Sequence, residues 1–149
     1  LLPEFVNAHP ELYTPEWYTA DFIKETGIKA AYDEVCRQLD AVLKEHGYER
    51  DGFNYKAVRP NHDTIAFVCH FGITAVLLSH IFNCPPVSVW QHSVTLTTSV
   101  TTLYSEERCE GKALFRMCGM NDLRHLYEKD IEPSFCARFC ECFTDDTRH

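Results

Sequence analysis

The sequence has no apolar run of the length that a bilayer demands. A membrane helix needs roughly 20 consecutive apolar residues, and the longest candidate, Ile73 to Phe82, falls well short and carries His80. No basic stretch leads into an apolar core at the start, so no secretory leader is expected. Positive charge is scarce: 14 Lys and Arg stand against 22 Asp and Glu, a formal net charge of −8. That balance excludes non-specific binding to nucleic acid or to an anionic membrane surface, whose phosphates would be repelled, and leaves room only for a local basic site for a small phosphate. No low-complexity tract and no internal repeat is present. The 45% hydrophobic and 24% charged residues, in 149, are those of one globular domain with its own core.

Cysteine, by contrast, is plentiful. The eight are Cys36, Cys69, Cys84, Cys109, Cys118, Cys136, Cys140 and Cys142. An even count raises the option of a disulfide framework. The missing leader and the core-sized chain favour reduced thiols instead. Cys36, Cys69 and Cys118 lie inside apolar patterns, where free cysteine behaves as a small buried hydrophobe. A cytoplasmic, reducing setting is the expectation.

Along the chain, Pro15 behind Thr14 opens a helical turn, and Trp17, Tyr18 and Phe22 follow at helical spacing. Residues 1–27 thus read as a helical segment, either lid-like or packed down by its aromatics. Ile28 to His46 is the clearest helix, with Tyr32, Val35, Leu39, Val42 and Leu43 on one face and Gly47 as its stop. Tyr48 to Asp63 is polar and turn-rich and reads as a loop. Thr64 to Cys69 is a continuous apolar run that predicts a strand buried on both faces. Ile73 to Phe82 predicts a buried helix. Helix, strand, tight turn and helix in that order give the rhythm of an α/β sheet with crossovers. Ser93–Tyr104 and Lys112–Cys118 predict two strands of a hairpin across a charged turn from Ser105 to Gly111. Asn121–Tyr127 reads as a short helix, and Pro133 opens a last one with Phe135, Phe139 and Phe143 at four-residue steps.

In open α/β sheets ligands bind beyond the carboxyl ends of the strands. His70 falls at that place, and the next helix begins near Gly72, so its free N–H groups point to the same spot. An imidazole there either donates to phosphate oxygens or passes a proton; the competing reading is a histidine that only caps the turn. Cys69 is a weaker nucleophile candidate, because a phosphocysteine enzyme needs an arginine closing the loop and none follows. Cys136, Cys140 and Cys142 with His149 match no zinc spacing, and His62-Asp63 has no further ligands nearby, so no metal site and no cofactor are expected.

The stretch Phe67-Val68-Cys69-His70-Phe71-Gly72-Ile73, continued by Ala75 to His80, resembles the second histidine motif of the histidine phosphatase superfamily, in its phosphoglycerate-mutase-like branch. In that family a strand ends in Val-Ser-His-Gly-Gly or a variant, and a helix of the form Ala-Leu-Leu-Ala-His follows. Thr98 to Leu103 resembles the next strand, and Met120-Asn121-Asp122-Leu123-Arg124-His125-Leu126 resembles the closing Asn-Asp-x-x-His-Leu. The likeness spans roughly residues 28 to 130.

The resemblance implies a three-layer α/β/α fold with a mostly parallel sheet, and phosphoryl transfer through a phosphohistidine on a small phosphorylated metabolite. It gives His70 the part of the supporting histidine on the phosphoryl group, with backbone N–H groups of Phe71 and Gly72 as further donors. The nucleophile of the family stands in an Arg-His-Gly motif, and none occurs here; Arg124-His125 is followed by leucine and lies late. Position 71 is phenylalanine where many members have glycine. The chain, opening Leu1-Leu2-Pro3 without methionine, is therefore expected to be the C-terminal part of a phosphomonoesterase, with residues 28–149 belonging to that fold and the nucleophile elsewhere. Hydrolysis is favoured over mutase activity. The alternative is a catalytically dead binding or dimerisation module. Either way an exposed strand edge would pair with the missing N-terminal part or with a copy of itself.

Overall fold

The computed structural model describes residues 2–134 and 143–144. The N-terminal stretch folds as helix α1 (Pro3–Ala8) and two 3₁₀ turns, Pro10–Tyr13 and Trp17–Thr19. Prolines at the first helical position of α1 and of the first 3₁₀ turn explain why both start where they do. Trp17 is buried in a cluster with Leu12, Ala20, Ile23 and Val87, against which Phe5, Tyr18 and Tyr32 pack. The aromatics of residues 1–27 thus pack against Tyr32 and Val87.

Helix α2 (Ile28–Glu45) follows the predicted face and buries Cys36, Leu39 and Leu43. Its end is held by the chain beyond. Arg59 donates to the carbonyl of Glu45 at 2.8 Å, and Asn61 Nδ2 to that of His46 at 2.6 Å. Gly47 sits at φ 90°, and a Cβ there would meet the Arg59 carbonyl oxygen at 2.4 Å, so only glycine serves.

The region read as a loop contains a hairpin, β1 (Tyr48–Asp51) and β2 (Asn54–Ala57), with Arg50 opposite Tyr55 and Tyr48 opposite Ala57. Gly52, at φ 60°, takes the first place of its two-residue turn, where a type II′ turn requires positive φ. Helix α3 spans Phe71–Phe82 and α4 Pro86–His92. Asn83 ends α3 in the left-handed conformation at φ 57°, and the N–H of Cys84 bonds back to Ser79 at 3.0 Å, a Schellman closure. A second hairpin joins β3 (Val100–Cys109) to β4 (Lys112–Asp122) across Glu110-Gly111, and α5 is Arg124–Tyr127.

The four strands form one antiparallel sheet in the order β1-β2-β4-β3, with β2 meeting β4 at Tyr55–Ala113 and Lys56–Lys112. This overturns the three-layer α/β/α architecture with a mostly parallel sheet. The reason lies in Thr64–Cys69. That run was to be the buried central strand, yet it is extended chain in no sheet, with Phe67 half exposed and Val68 fully so. Without it no parallel pair and no crossover unit exist among the described residues. The strands that do form are joined in hairpins, and hairpins pair antiparallel.

The chain divides into two compact units. The first comprises residues 1–92 with the hairpin end 106–114; it contains helices α1 to α4 and the whole of β1 and β2. The second comprises residues 93–105 and 115–149. In it the side chain of Asn121 accepts from the N–H of Leu96 at 2.8 Å and donates to the carbonyl of Val94. Asp122 Oδ1 accepts from the N–H of Arg124 at 3.0 Å. The Asn121-Asp122 pair thus ties down local backbone. The helix read after Pro133, with Phe135, Phe139, Cys136, Cys140, Cys142 and His149, lies outside the described residues; Phe143 is described and fully exposed.

Candidate functional site at the start of helix α3

His70 is the residue immediately before α3, in extended conformation at φ −84° and ψ 163°. Its carbonyl accepts the first helical bond, from the N–H of Thr74 at 3.0 Å, and also the Thr74 hydroxyl at 3.3 Å. Its side chain is exposed and makes no capping hydrogen bond. The N–H groups of Phe71 and Gly72 are among the first donors of the helix, which have no acceptor within it. A Cβ built on Gly72 would meet nothing within 4 Å, so the space beside it is open. Trp90 fixes the turn from the other side, its indole N–H donating to the Gly72 carbonyl at 3.3 Å. Cys69 Sγ lies 3.4 Å from the Thr74 hydroxyl.

His70 therefore stands where the sequence placed it relative to its helix, but not at the end of a sheet strand. The three predicted site residues remain together because they are consecutive. No arginine among the described residues forms a bond or ion pair with His70. His62 and Asp63 do not act as a dyad: Asp63 Oδ2 pairs with His46 Nδ1 at 2.9 Å. Among the described residues no group of three or more His, Cys, Asp or Glu could hold a metal ion. Arg124, next to His125, is committed to Asp122, whose carboxyl the guanidinium holds down to about 2.

A second cluster at the far end of α3 escaped the sequence. His80 Nε2 lies 2.9 Å from Asp40 Oδ2, and the Tyr55 hydroxyl donates to Asp40 Oδ1 at 3.2 Å. Arg50 donates to that hydroxyl at 2.9 Å, to the Gly52 carbonyl at 2.8 Å and to the Asn83 side chain, and its guanidinium stacks 5.0 Å from the Tyr55 ring centre. Burial pushes the Tyr55 phenol up to about 12, against the opposing pull of Arg50. About two turns before Asp40 on α2, Tyr32 meets Ser79 at 3.2 Å, and burial raises its phenol to about 12 as well. A signal for this cluster was present: Asp40 follows Cys36 and Leu39 on the apolar side of α2, where an acid needs partners. The partners themselves lie too far along the chain for any local spacing to reveal.

The two ends of α3 differ in what they offer a ligand. At the His80 end the guanidinium is spent on Tyr55, Asn83 and backbone carbonyls, and the carboxylate on His80 and Tyr55. At the His70 end the imidazole is exposed and open space lies beside Gly72. Ten residues of helix put the ends about 15 Å apart, so they do not form one site. No protein-family model, curated protein or solved structure matches the chain.

Proposed function

We propose that the chain holds the phosphoryl group of a small phosphorylated metabolite at the start of α3, as the phosphate-holding part of a phosphomonoesterase. One observation carries this reading: the His70 side chain stands uncapped and exposed immediately before the first turn of a helix, with open space beside the Gly72 Cα. Protonated, the imidazole donates to one phosphate oxygen while the N–H groups of Phe71 and Gly72 donate to others. The positive end of the helix dipole adds about 0.3–1 kcal/mol at such an exposed position. With no second cation bonded at His70 among the described residues, binding is weak, on the order of 1 mM.

The chain binds and does not turn over. A phosphohistidine route needs a nucleophilic histidine beside arginine, and the sequence carries no Arg-His-Gly. Isothermal titration with inorganic phosphate and with phenyl phosphate, alongside release of phenol, tests both halves. Saturable binding, lost in His70→Ala and kept in Arg124→Ala, with no phenol released, is the expected result. Binding unchanged in His70→Ala rejects the site; phenol release that survives repurification rejects the non-catalytic reading.

A further inference from the structure

We draw no further inference here: the strongest candidate, the exposed apolar run of residues 64–69 that leads into helix α3, carries nothing because nothing in the structure shows what covers it.

Discussion

The two ends of helix α3 each carry a histidine, and they have opposite characters. His80 is mostly buried, and its ring nitrogen is bound to Asp40, itself bound to Tyr55, which accepts from Arg50. His70 is exposed, and only its backbone is used. The lesson is about what a polar cluster means. The richer set of ionisable groups lies at the His80 end, where an acid, a base, a phenol and a guanidinium meet. Their capacity is consumed in joining α2, α3 and the β1–β2 hairpin. The poorer end has the unspent donors, and unspent donors are what a ligand needs.

This contrast can be broken most readily by stability. Asp40→Ala strands the His80 ring and the Tyr55 hydroxyl in a half-buried place, and we expect a loss of about 2 kcal/mol in urea unfolding. His70→Ala should stay within about 0.5 kcal/mol of the wild type, as exposed positions do. Equal losses from the two substitutions would erase the distinction. Tyr55→Phe removes one hydroxyl from the cluster and should cost about 1 kcal/mol.

Alkaline pH sharpens the same comparison. Tyr55 and Tyr32 have phenols raised to about 12 by burial, from an ordinary value of 10.0. The folded state thus keeps two protons that the unfolded chain releases first. Their contribution is complete below pH 10.0 and is lost as pH rises toward about 12. Urea midpoints should therefore fall across that window, and the fall should be shallower in Tyr55→Phe. A midpoint that is flat across it contradicts the burial assigned to both rings.

Individual helices were legible in the sequence, but the architecture of the sheet was not. The apolar face of α2 with its glycine stop and the apolar run of α3 follow from periodicity and turn chemistry; a hairpin was also expected, but its first strand is Val100–Cys109 rather than Ser93–Tyr104, and the turn is Glu110-Gly111 alone. Two failures have physical causes. The β1–β2 hairpin looked like a loop because Arg50 occupies its inner face opposite Tyr55; an arginine there defeats hydropathy, and only the tertiary network around it makes the position tolerable. Asp51-Gly52 was the available sign. Thr64–Cys69 looked like a buried strand because its local preference is strong, but strand propensity needs a partner to be realised, and the described residues supply none. The parallel sheet was built on that segment and fell with it. His70 was legible as a helix-leading histidine; the Asp40–His80 pair, forty residues apart, was not.

The direct measurement is a backbone and imidazole nuclear magnetic resonance titration of the full chain with phenyl phosphate. The amides of Phe71 and Gly72 and the ring of His70 are expected to shift together and saturate, while Asn83, Arg50 and the His80 ring stay still. Shifts confined to the His80 end, or none at the His70 end up to concentrations well beyond the order of 1 mM, would contradict the proposed site.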